Sequence, residues 1–129
     1  MKIIYPTETG VAIIHPTGEL SIEEVAKKDV PAGVAYKIVN DDEVPSDRTF
    51  RNALKYDLTV DMPKAQTITK DRLRVERAPL LTALDVQYQR ATEDGRDTTI
   101  IISEKQRLRD VTKLADVATT LDELKALSA

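Results

Sequence analysis

His15 is the only histidine in this sequence, and there is no cysteine. Zinc sites usually draw on several residues of those two types, and a histidine-based triad would have to run through this one ring. His15, on an expected strand beside Pro16, is therefore read as structural. Asp41, Asp42 and Glu43 gather three carboxylates, but they lack the alternating spacing and the glycine of a calcium loop. They read as a solvated acidic loop. Gly10, Gly18, Gly33 and Gly95 are each isolated, so neither a phosphate loop nor a dinucleotide fingerprint can be assembled from them. No catalytic residue, no metal site and no cofactor is expected, and an enzyme is the least favoured reading.

One constellation has chemistry of another kind. Lys70, Arg74 and Arg77 follow i, i+4, i+7 spacing and share one helical face. They border an apolar stripe of Leu73, Leu80, Leu81, Leu84, Tyr88 and Ala91, which winds into an arc of roughly 100° if residues 64–93 are helical. A guanidinium beside an apolar seam can anchor a carboxylate of another polypeptide while its stem covers apolar surface. The expected partner-binding residues are Lys70, Arg74, Arg77, Leu81, Leu84 and Tyr88. The competing reading pairs Arg77 with an acid of the neighbouring helix and leaves the others in water, where charge pairs are worth little.

The second basic group, in "KQRLRDVT" from Lys105 to Thr112, does not form a strip. On a helix Leu108 and Val111 share one side with Ile101, Ala115 and Ala118, while Lys105 and Arg109 point elsewhere and Arg107 lies on a third side. The aromatic residues are Tyr5, Tyr36, Phe50, Tyr56 and Tyr88 only, and the formal net charge is −3. Base stacking and a broad positive field are both missing, so no nucleic-acid partner is expected and a nucleic-acid-binding regulator is a weaker alternative.

The elements that must hold these faces fall into two parts. In residues 1–60, "IIY" and "VAII" are rich in β-branched residues and flank "PTETG", the pattern of a hairpin. Ser21 and Glu24 form a capping box for a short helix over 22–28, which Pro31 and Gly33 close off. "VPAGV" suits a turn with proline at its second position, and residues 34–39 read as a strand. Asp47 is placed as the cap of a helical turn carrying Phe50 and Leu54, in a linker that still packs.

In residues 61–129 helix formers dominate. Pro79 predicts a kink or a break near Arg77 in the first long helix. "EDGRD" reverses the chain into a second helix, and Thr120 with Glu123 caps a short terminal one carrying Leu121, Leu124 and Leu127. The five residues 98–102, "TTIII", are compatible with a strand, in which case Ser103 and Gln106 would cap the helix; a helix from Asp97 is preferred. The expected class is α+β: a small N-terminal β-rich α/β module over 1–60, followed by a C-terminal antiparallel helical hairpin with a short terminal helix over 61–129. The longest apolar runs fall far short of the ~20 residues that span a bilayer, so no membrane partner is expected.

"ITKDRLRVERAPLLTALDVQYQRA" followed by "KQRLRDVT" resembles the C-terminal region of small tailed-bacteriophage proteins of the tail (fibre) assembly chaperone type. The matching positions are Arg74, Arg77, Leu80 and Leu81, then Leu108, Arg109, Asp110 and Val111. "VPSDRTFRNA", with Asp47, Arg48, Phe50 and Arg51, is similar to a segment of related phage-encoded proteins. The sequence departs from the family in having no tryptophan, with Asp85-Val86 where an Asp-Trp pair is common. The resemblance implies a non-enzymatic protein that binds a phage tail or tail-fibre polypeptide in the bacterial host cytoplasm during assembly. The alternative is a virion structural or decoration protein that forms a homo-oligomer through the helical hairpin.

Overall fold

The computed structural model describes residues 1–129 and is α+β. It divides into two compact units, Met1–Asp61 and Met62–Ala129. In the first, strands β1 (Lys2–Thr7) and β2 (Gly10–Ile14) form the antiparallel hairpin, with Ile3 opposite Ile14 and Ile4 opposite Ile13. Strand β3 (Lys37–Val39) adds antiparallel to the other edge of β1, giving the order β2-β1-β3. β3 is shorter than the 34–39 run, and Ala35 and Tyr36 stay exposed.

Because alternate strand residues point to opposite faces, this sheet has two apolar sides. Ile3, Tyr5 and Ile14 pack against Val25, Ala26 and Val30, contributed by helix α1 (Ile22–Asp29) and its end. Ile4, Val11 and Val39 pack with Val44 and Leu54, and Tyr56, Leu58 and Val60 lie against them. The segment read as a linker is thus the second covering layer.

α1 starts on the expected capping box: Ser21 N–H donates to the Glu24 carboxylate at 2.9 Å, and Glu24 N–H to Ser21 Oγ at 3.3 Å. Two local expectations are corrected. Val34 N–H donates to the Pro31 carbonyl, so proline takes the first turn position, and Gly33 at φ +79° takes the third, which requires that conformation. Asp47 does not cap the helical turn; its Oδ1 accepts from the Thr49 amide and hydroxyl, and the 3₁₀ turn follows at Arg51–Ala53. A hydroxyl two residues on is a closer donor than the helix amides.

The second unit contains α2 (Met62–Glu93), α3 (Thr99–Asp110), α4 (Lys113–Val117) and α5 (Leu121–Ala126). α2 packs on each of the other three. Leu73, Leu108, Val111, Ala115 and Leu124 are buried. α2 runs without a break through Pro79. Proline removes one amide donor there, but the ring is on the exposed side and helical packing on both sides of it holds the chain.

α2 ends in a Schellman motif. Gly95 adopts φ +68°, Arg96 N–H donates to Ala91 O at 2.8 Å and Gly95 N–H to Thr92 O at 3.2 Å. Residues 99–102 are helical, and the Asp97 carboxylate accepts from the Thr99 amide and hydroxyl at the start of α3. Ser103 sits inside that helix. Thr120 Oγ1 accepts from Glu123 N–H at 3.1 Å, while the Glu123 carboxylate turns to Thr119 N–H. No helix is long and apolar enough to cross a membrane.

Candidate interaction site

The structure gives the basic residues of α2 separate partners within the second unit. Lys70 pairs with Asp116 of α4. Arg74 reaches back three residues to Asp71 at 2.7 Å. Arg77 Nη1 donates to the backbone carbonyls of Leu108 at 3.3 Å and Arg109 at 2.9 Å. The three share one face of α2 as expected but each already has a partner, and the competing expectation of an acid opposite Arg77 is corrected, since backbone carbonyls take its place. The last turn of α3 has carbonyls without intrahelical donors, and those oxygens take the guanidinium.

Two of the three apolar partner residues also turn inward, while Tyr88 stays exposed. Leu81 and Leu84 are half-buried on the same side of α2 as Leu73 and Arg77, and α3 lies against that side. The Tyr88 ring carries Lys105 of α3 with Nζ 5.1 Å from its centroid, and the same ammonium pairs with Asp85 at 2.6 Å. Arg107 is taken by Glu104, whose carboxyl its guanidinium holds below the usual range. The side chains of Lys105 and Arg107 are therefore paired within the hairpin.

Two further residues lock α5 to α2. Arg72 Nη2 donates to Leu124 O at 3.1 Å and Nη1 to Glu76 at 2.7 Å; Glu76 also accepts from Ala129 N–H at 3.2 Å. The Arg72 guanidinium, then the Ala129 amide, hold the Glu76 carboxyl below the ordinary glutamate range.

What remains open is the opposite side of α2. Val75, Ala78, Pro79, Thr82, Ala83 and Val86 are all exposed, and Val75 is 75% exposed. At about 100° per residue they fill the sector pointing away from Arg77 and Leu84. None of them is charged, across three turns of a chain in which 32% of residues are. Near the hairpin tip, Ile100 is 83% and Ile102 50% exposed. Sequence reasoning passed over this sector because its small residues carry a weak apolar signal beside the leucine stripe; the signal that marks it is the absence of charge on a solvent-facing side. No group of His, Cys, Asp and Glu residues is arranged to hold a metal ion. No family model matches the chain, and no curated protein or solved structure matches it either.

Proposed function

We propose that this chain is a non-enzymatic assembly helper whose second unit binds a tail or tail-fibre polypeptide of a bacteriophage, acting in the host cytoplasm during assembly. The observation that carries the reading is the uncharged outward sector of α2 from Val75 to Val86. An exposed helix face normally bears charge, and an apolar or small-residue face left open marks a place where another helix or strand can approach closely. The resemblance of "RVERAPLL" and "LRDV" to tail assembly chaperones supports the class of partner. Arg77, Leu81, Leu84 and Tyr88 act in this reading as part of the frame that holds α2 and α3 together, Lys70 ties α2 to α4 and Arg74 stays on the surface of α2, with the partner on the far side of α2. Lack of charge also lets a second copy occupy the sector without repulsion, which is the alternative of a homo-oligomeric virion component.

The test is co-expression with the tail-fibre polypeptide encoded by the same phage. The wild type co-purifies with it in a fixed ratio, and Val75→Glu with Val86→Glu loses it while keeping its helical circular dichroism. Equal recovery with the double variant would remove this face from the account, and self-association without fibre binding would favour the virion component.

A further inference from the structure

We propose that the first unit carries a binding site for the phosphate dianion of a small molecule, in the concavity between the end of the β1-β2 hairpin and the segment Val44–Arg51. The concavity has a volume of about 210 Å³ and is lined by Lys2, Ile13, His15, Val44, Pro45, Ser46, Arg48 and Arg51. All four ionisable residues of that lining are basic types, although the chain as a whole is at −3. Strand register explains how they meet. Ile4 and Ile13 are paired and share the face covered by Val44 and Leu54; Lys2 and His15 lie two residues further along the two strands on that same face, beyond the apolar cover. The covering segment then brings Arg48 and Arg51 over them.

Arg51 is fixed in direction, because its Nη1 donates to Val11 O at 3.1 Å, and its side chain forms part of the concavity's wall. Ser46 adds a hydroxyl. Of the nearby acids, Asp47 accepts from the Thr49 amide and hydroxyl. Asp41 pairs with the N-terminal ammonium at 3.0 Å, and that ammonium, then Lys2 and His15, hold its carboxyl below the ordinary range. Asp41 thus offsets part of the charge at the Lys2 end and leaves the Arg48–Arg51 end the more positive. The Arg48 guanidinium and the Lys2 ammonium, with Arg51 in the wall, suit a doubly charged oxyanion better than a single carboxylate. A half-open concavity of this size admits a small ligand.

The test is a titration of the full chain at low salt with inorganic phosphate and with O-phosphoserine, followed by amide chemical shifts, with acetate at equal ionic strength as control. Saturable shifts confined to Lys2, Ile13, His15 and Ser46–Arg51 are expected for both phosphates. Saturation by inorganic phosphate alone identifies a free-anion site, and tighter binding of O-phosphoserine a monoester site. Lys2→Glu with Arg48→Glu, both outside the apolar core, should weaken binding by about tenfold or more while the spectrum stays dispersed. Non-saturating shifts, equal saturation by acetate, or unchanged affinity in a folded double variant would overturn the assignment. Should the double variant lose dispersion, Ser46→Ala with Arg48→Gln takes its place under the same criteria.

Discussion

Arg77 Nη1 lies 2.9 Å from the carbonyl oxygen of Arg109, so one guanidinium in the middle of α2 closes the last turn of α3. The C-terminal carbonyls of a helix carry the negative end of its dipole and lack their own donors. A cation there satisfies both needs at once. The same bond explains why Arg77 is not a free anchor for a partner despite lying on the seam.

Arg77→Ala should therefore lower the stability of the second unit by about 1–2 kcal/mol, since it leaves the part-buried Leu108 carbonyl without this donor, while the exposed Arg109 carbonyl can turn to water. Arg77→Lys should recover part of the loss, because an ammonium reaches one carbonyl but has no fork. Urea unfolding followed by helical circular dichroism reads both. Fibre binding by the folded fraction is expected to be unchanged in either variant.

Pro79→Ala should act in the opposite direction. Pro79 is exposed and inside a continuous helix, where it withholds an amide from the Val75 carbonyl without giving packing in return. Restoring that bond is expected to raise stability by about 1–3 kcal/mol, visible as a higher urea midpoint. A fall in the midpoint would mean that the ring itself makes a needed contact.

Acid should release α5 before the rest of the second unit. Glu76 is held below its ordinary value of 4.5 by Arg72 and then by the Ala129 amide, and Glu123 below the same value by the Thr119 amide first. A carboxyl whose folded pKa is depressed contributes stability that is present above the unfolded pKa and is lost as the pH falls through the folded one. The change thus lies below about pH 4.5. Amide exchange at Leu124 and Leu127 should accelerate in that window, while Leu108 remains protected. Glu76→Gln and Glu123→Gln should each reduce the pH dependence of that step.

The parts of this fold that were legible in the sequence are those decided by neighbours in the chain. Ser21 and Glu24, Thr120, and the "PTETG" reversal announce their roles within a few residues. The turn that brings Leu54 opposite Val60 does not, because it is closed by Leu58 at φ +66° without a glycine to mark it. At Pro79 local chemistry allows a break, and packing along the rest of α2 keeps the helix unbroken. The phase of Lys70, Arg74 and Arg77 could be read, but the partners of Lys70 and Arg77 could not. Asp116 and the carbonyls of Leu108 and Arg109 lie dozens of residues away, and a backbone carbonyl leaves no mark in a sequence. Likewise, Lys2 and His15 are separated from Arg48 and Arg51 by the α1 and β3 segments, so the concavity they line exists only once the second layer is folded over the sheet.

The uncharged side of α2 is proposed as a docking face. Its most direct test is amide exchange of the second unit with and without the co-purified fibre polypeptide, alongside the Val75→Glu, Val86→Glu variant. Protection gained between Val75 and Val86 and at Ile100, and lost in the variant, is the predicted result. Unchanged exchange along that stretch in a stable complex, with protection appearing at other residues, would contradict it.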